Sequence, residues 1–183
     1  MGESIRLLLP IVLFFLFSCA STQQQKIKLK DAEVYYNRGV AYTEKGEDDQ
    51  AVADFTKAIE INPRFAKAYY YRGVIYAGRG QQDQAISDYT NAIKINPRFF
   101  EAYYNRGVAY ATKGRYEQTI SDCSKAVEIN PRFAEAYLGR AVAYYFKKEY
   151  NRSWEDIRKA GDLGYKIPPK FLEELRKASG KEN

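Results

Sequence analysis

Two thiols and four arginine–aspartate pairs are the groups in this 183-residue chain whose types and spacing could do chemistry. Cys19 closes an apolar run, whereas Cys123 stands 34 residues after Tyr89, which itself stands 34 after Phe55. That places Cys123 at an inward-facing position, where a small, inert thiol is expected. There is no histidine, which removes the commonest general base and metal ligand. Gly-rich phosphate loops and paired-cysteine zinc spacings do not occur, and the carboxylates are scattered along the chain. No catalytic residue, metal or cofactor is therefore expected, and the chain reads as non-enzymatic. The arginines are more informative. Arg38, Arg72, Arg106 and Arg140 each precede an aspartate by sixteen residues, namely Asp54, Asp88, Asp122 and Asp156. The matched spacing predicts four structural ion pairs, each joining two segments of one repeated unit. An arginine ladder for an acidic ligand would leave the aspartates unexplained. A partly buried pair makes loss of either partner costly, because the survivor is a buried, uncompensated charge.

The elements that must position these groups follow from a period of 34 residues. Ile-Asn-Pro-Arg-Phe recurs at residues 61–65, 95–99 and 129–133, and a fixed period of this length marks an array of one supersecondary unit. Within a unit, Tyr35, Gly39 and Tyr42 fall at i, i+4 and i+7, as do Ala51, Phe55 and Ala58. These are the apolar seams of two successive helices. Lys45-Gly46, Arg79-Gly80 and Lys113-Gly114 lie between the two, where glycine can take the left-handed conformation that ends a helix. Pro63, Pro97 and Pro131 cannot continue the second helix and push the preceding Asn out of helical geometry. Each unit is thus a helical hairpin that cannot bury its apolar face alone. Gly39, Gly73 and Gly107 sit inside the first helices, and their expected return is close approach of the second.

The tyrosine, glycine, alanine and proline positions closely resemble the tetratricopeptide repeat family, whose pattern is carried here by Tyr35, Gly39, Tyr42, Ala51, Phe55, Ala58 and Pro63. The resemblance extends over about residues 32–165. It implies an all-α, right-handed solenoid with repeats at about 32–65, 66–99, 100–133 and 134–167. A C-terminal capping helix is expected at about 168–178, opened by Pro168-Pro169 and carrying the stripe Phe171, Leu172 and Leu175. In the family the arginine position is commonly leucine.

The residue after each seam tyrosine is turned by about 100 degrees around the helix, which groups Tyr36, Tyr70, Tyr104 and Leu138. Val40, Val74, Val108 and Val142 come one turn later, with Asn37, Tyr71 and Asn105 beside them. The resemblance implies that these positions line a concave groove holding a peptide segment or helix of a partner protein. The alternative is that the aromatics pack between neighbouring repeats. Relatives that grip a C-terminal carboxylate use Lys and Asn in the first unit. Tyr36 and Val40 stand there instead, and Glu101 stands where another Lys would lie, which disfavours such a clamp.

Residues 1–18 form a different object. A weakly basic start leads into an apolar run from Leu7 to Phe17, too short for a spanning helix and suited to a secretory signal core. Leu16-Phe17-Ser18-Cys19 resembles the bacterial lipoprotein signal, which implies lipidation, palmitate included, at Cys19. Residues 19–31 then form a tether containing Lys26, Lys28 and Lys30, and residues 32–183 the repeat domain. The lack of aspartate after Cys19 points to the outer membrane, facing the periplasm. The net charge of +6 and pI near 9.1 are spread through every repeat, so nucleic acid is not expected as a partner. The expected function is a non-enzymatic protein-interaction scaffold held in the cell envelope by its lipid. A pilotin-type assembly factor, an adaptor for peptidoglycan enzymes and a self-associating solenoid are the alternatives.

Overall fold

The computed structural model describes residues 29–180, so the expected signal segment, Cys19 and the expected tether up to residue 28 lie outside the described residues. Every regular element among the described residues is a helix. They are α1 (29–44), α2 (Asp48–Ile61), α3 (Ala66–Gly78), α4 (Gln82–Ile95), α5 (Phe100–Thr112), α6 (Tyr116–Ile129), α7 (Ala134–Phe146), α8 (Tyr150–Asp162) and α9 (Pro169–Ser179). Helix α1 begins at residue 29, inside the segment expected as tether. Asp31 in its first turn complements the positive helix end.

The turn inside each hairpin is the same device four times. Gly46, Gly80 and Gly114 have φ of 74°, 75° and 69°, and Lys148 takes their place at φ 63°. The following N–H reaches back to close the helix: Glu47 to the Tyr42 carbonyl at 2.9 Å, and Glu149 to Tyr144 at 2.9 Å. This 6→1 bond is the Schellman stop. Unit four therefore loses the glycine and keeps the turn, with a non-glycine residue in the left-handed region at a cost of roughly 1–2 kcal/mol. Between hairpins, Asn62, Asn96 and Asn130 each accept a bond at Oδ1 from the N–H two residues on, at 3.1, 3.1 and 3.2 Å. That side-chain turn bridges the intervening proline, which has no N–H to offer.

Two compact units divide the chain at Ala68. In the first, Phe55 is fully buried with Ala32, Ala51, Ala58 and Ala68. A Cβ on Gly39 would stand 2.8 Å from the Phe55 ring, so glycine here permits the two helices to meet around an aromatic.

In the second unit, α4 packs on α5, α5 on α6, α6 on α7 and α7 on α8, with α5 also touching α7 and α9 closing against α8. Three apolar clusters run along this stack. Ala92, Ile93 and Ala102 gather Tyr69, Tyr70, Phe99 and Tyr103, and Ala126, Val127 and Ala136 gather Phe100, Tyr103, Tyr104, Phe133 and Tyr137. The last cluster joins Ala141, Ile157 and Leu175 to Leu138, Tyr145, Trp154 and Phe171. Leu175 of α9 is fully buried in it, while Lys170, Glu173, Arg176 and Lys177 face solvent. Gly73 repeats the Gly39 arrangement, 2.9 Å from the Tyr89 ring, whereas a Cβ on Gly107 would meet the Cys123 sulfur at 3.3 Å, the Asp122 Cβ at 3.4 Å and the Thr119 carbonyl oxygen at 3.5 Å.

Candidate protein-binding surface

The arginine on each first helix and the aspartate on the second meet as two parallel hydrogen bonds. Arg38 Nε and Nη2 donate to Asp54 at 2.6 and 2.7 Å, and Arg72 to Asp88 at 2.8 and 2.8 Å. Arg106 binds Asp122 at 2.8 and 2.8 Å, and Arg140 binds Asp156 at 2.8 and 2.7 Å. All four aspartates are buried. The guanidinium planes lie over Tyr35, Tyr69, Tyr103 and Tyr137, 5.2 to 5.7 Å from the ring centroids, adding a cation–π contact to the fork. Hydrogen bonds to Asp88 and Asp156 raise the pKa of Arg72 and Arg140. For Arg106 burial is the largest single effect and lowers the pKa, but the hydrogen bond and the charge of Asp122, with smaller help from Tyr110 and Tyr103, together outweigh it and the pKa is raised.

Arg106 and Arg140 also reach across a joint. Arg106 Nη1 donates to Thr90 Oγ1 at 3.0 Å and Arg140 Nη1 to Ser124 Oγ at 2.9 Å, each hydroxyl belonging to the preceding hairpin. Lys113 to Asp83 at 2.9 Å and Lys147 to Glu117 at 2.8 Å tie the same neighbours at the turn edge. The arginine is thus a clamp within a hairpin and a strut between hairpins, a second role that spacing by sixteen residues does not reveal. Thr119 and Ser153 are a further pair missed by sequence reasoning. They replace Ala51 and Ala85 on the buried seam, and their hydroxyls donate to the carbonyls of Gly107 and Ala141 at 3.0 and 2.8 Å.

The groove tyrosines are held by packing. Tyr36 lies against Phe65 with ring centroids 4.9 Å apart and against Phe55 at 5.9 Å. Tyr70 repeats this with Phe99 at 4.8 Å and Tyr89 at 5.9 Å, and meets Tyr71 edge-on at 5.3 Å. Tyr104 meets Phe133 at 5.1 Å and borders Gly139. The Phe that follows each proline swings its ring under the tyrosine, so the packing alternative describes much of each ring. Leu138 packs against the cluster containing the capping helix.

What remains open on α3, α5 and α7 of the second unit is a strip of other atoms. Val108 is 39% exposed, one of four large apolar side chains exposed among the described residues. Val74 and Val142 are half-buried, and so are Tyr71 and Asn105. Asn105 donates to the Tyr70 hydroxyl at 3.0 Å, which fixes its amide along the strip. In the first unit Asn37 is exposed and Val40 half-buried. Burial raises the Tyr104 hydroxyl to about 12 and the Cys123 thiol to about 12, so both are neutral at physiological pH. Cys123 is buried beside Gly107 and Gly139, a packing thiol. Among the described residues no cluster of His, Cys, Asp or Glu could hold a metal ion, and no helix is long and apolar enough to cross a membrane.

Family models described as tetratricopeptide repeat match residues 32–65, 100–133 and 55–87, and one described as TPR repeat matches 75–114. Together they span 32–133, more than half the chain. No curated protein matches the sequence. Among solved structures, MamA is 24% identical, with a TM-score of 0.69 over 87% of this chain and 87% of its own. The first TPR of Spaghetti (RPAP3), solved bound to the HSP90 peptide SRMEEVD, is 27% identical with a TM-score of 0.58, over 63% of this chain and 90% of that one. The Arabidopsis OM64 TPR domain is 25% identical with a TM-score of 0.62, over 64% and 98%. The fold class is accordingly an all-α solenoid of helical hairpins finished by a C-terminal helix.

Proposed function

Because the chain belongs to the tetratricopeptide repeat family, we propose that it is a protein-interaction scaffold that holds a peptide segment or helix of a partner on its first-helix strip. Repeats of this family are generally interaction modules without catalysis, and one structural neighbour is solved with a peptide bound. The observation that carries the reading is the strip itself: Val108 exposed among half-buried valines, an amide and tyrosine edges, backed by rings that packing holds rigid. A preorganised surface of this chemistry offers apolar anchoring and amide hydrogen bonds to an extended chain or a helix.

The scaffold acts, in this proposal, from the bacterial cell envelope, lipid-anchored through Cys19 at the outer membrane and facing the periplasm. Support comes from the apolar run Leu7 to Phe17 and the Ser18-Cys19 junction. Lys26, Lys28 and Lys30 follow that junction, where cations favour anionic headgroups. Two paired tests address the two halves. Cys19→Ala should release the protein from the membrane fraction and abolish a lipid-modified N-terminal peptide in mass spectra; unchanged anchoring contradicts the lipid. The chain on beads, offered detergent-solubilised envelope, should retain a partner that a folded Val108→Arg variant loses. Equal retention by both moves the interface off the strip.

A further inference from the structure

We propose that the strip on α5 and α7 selects a cationic, apolar segment of its partner and rejects an acidic one. This rests on the reading of the strip as the binding surface and specifies what it takes. On α5, Glu101, Asn105 and Val108 stand at i, i+4 and i+7; on α7, Glu135 and Val142 stand at i and i+7. Each carboxylate therefore opens the stripe whose later turns carry the valines of the strip, Val108 exposed and Val142 half-buried.

Both carboxylates lie within electrostatic reach of a tyrosine behind the strip. Glu101 is near enough to Tyr70, and Glu135 to Tyr104, for each negative charge to help hold the tyrosine hydroxyl protonated, behind the larger effect of burial. Both glutamates are half-buried. Among the described residues neither forms a hydrogen bond or an ion pair, in contrast to Asp83, Glu117, Glu149 and Glu173, which all engage a lysine or arginine. Arg98 and Arg132, three residues upstream, lie exposed in the turns outside the helices and pair with neither.

A segment laid over the valines removes water from these two carboxylates. Burying a charge without a partner is strongly unfavourable, and an acidic ligand adds repulsion. A lysine or arginine on the ligand compensates both. The acidic peptide SRMEEVD bound by Spaghetti (RPAP3) has the opposite sign to what this strip requires. Helices α5 and α7 touch, so their axes are about 8–10 Å apart. An extended chain covers that in roughly three residues. The matching segment carries two cations about three residues apart with an apolar residue between them.

The test is selection from a random peptide display library on the immobilised full chain, in parallel with E101Q/E135Q and V108R variants that retain native circular dichroism. Expected are native-chain hits enriched in Lys and Arg beside apolar residues, whose affinity falls about tenfold or more on E101Q/E135Q, the equivalent of about 1.4 kcal/mol. Hits that are acidic or uncharged, or that bind E101Q/E135Q equally well, yet are lost on V108R, overturn the charge selection and leave the strip as the binding surface. Hits that ignore V108R, or no hits at all, overturn the strip reading together with the inference built on it.

Discussion

Replacing Arg106 by leucine removes the clamp and leaves its partner stranded. Asp122 is 5% exposed, and its two carboxylate oxygens each lose a charge-assisted bond of 2.8 Å. Thr90 keeps a partner, because its hydroxyl also donates to the Ile86 carbonyl at 2.7 Å. The dominant loss is therefore the buried, uncompensated carboxylate, worth about 3–5 kcal/mol. For a chain of this length that corresponds to a fall in melting temperature of roughly 6–20 °C. Equilibrium urea unfolding, followed by both circular dichroism and fluorescence, measures it, and coincident transitions establish that one free energy describes the array. Lys94→Ala on the exposed face of α4 is the control and should stay within about 0.5 kcal/mol of native. Arg106→Leu with Asp122→Leu should recover most of the loss, since an apolar pair replaces a buried ion pair at little cost. Arg38→Leu should cost less than Arg106→Leu, because the Arg38 side chain is 54% exposed and that of Arg106 only 16%. If Arg106→Leu matches Lys94→Ala, or the double variant is as weak as the single, the clamp does not support the fold as described.

Lys148→Gly should stabilise by up to about 1 kcal/mol, the left-handed strain it relieves less the entropy glycine adds to the unfolded chain, read as a rise in melting temperature. Gly73→Ala should destabilise by about 1 kcal/mol or more, because its Cβ would press on the Tyr89 ring at 2.9 Å and overpacking exceeds the roughly 1 kcal/mol gained in helix propensity. Gly107→Ala, facing a sulfur at 3.3 Å, should be neutral or stabilising by the same urea midpoints. Burial holds Tyr104 and Cys123 protonated to about 12, whereas unfolded Cys and Tyr release protons near about 8.5 and 10. The folded chain therefore binds more protons across that interval, and stability should be full below about pH 8 and fall as pH rises towards 12. An unchanged urea midpoint at pH 10.5, or rapid alkylation of Cys123 in the folded chain at pH 9, contradicts this.

The hairpins were legible in the sequence because glycine, proline and asparagine mark each turn with a distinct backbone constraint at a constant period. The pairing of Arg38 with Asp54, and of its three counterparts, was legible because residues sixteen apart on antiparallel helices sit opposite one another. The third bond from Arg106 to Thr90 was not, since it depends on how far one hairpin is rotated against the next. The tyrosines show the same limit: turning by one residue around a helix places Tyr70 beside the seam, but only the position of Phe99 decides that its ring is covered. Lys148 carries no signal for a left-handed turn in its residue type. The surrounding hydrogen bonds impose that conformation. Glu135 had a signal in its seven-residue spacing from Val142, visible once α7 is aligned with α5. Cys19, the expected leader and the expected tether up to residue 28 lie outside the described residues.

The most direct measurement is site-specific photocrosslinking in cells, with a photoreactive residue at Val108 on the strip and, separately, at Lys94 on the exposed face of α4. A protein partner crosslinked from Val108 and absent from Lys94 is the expected result. Crosslinks from Lys94 alone, or the same partner from both positions, would contradict binding on the first-helix strip.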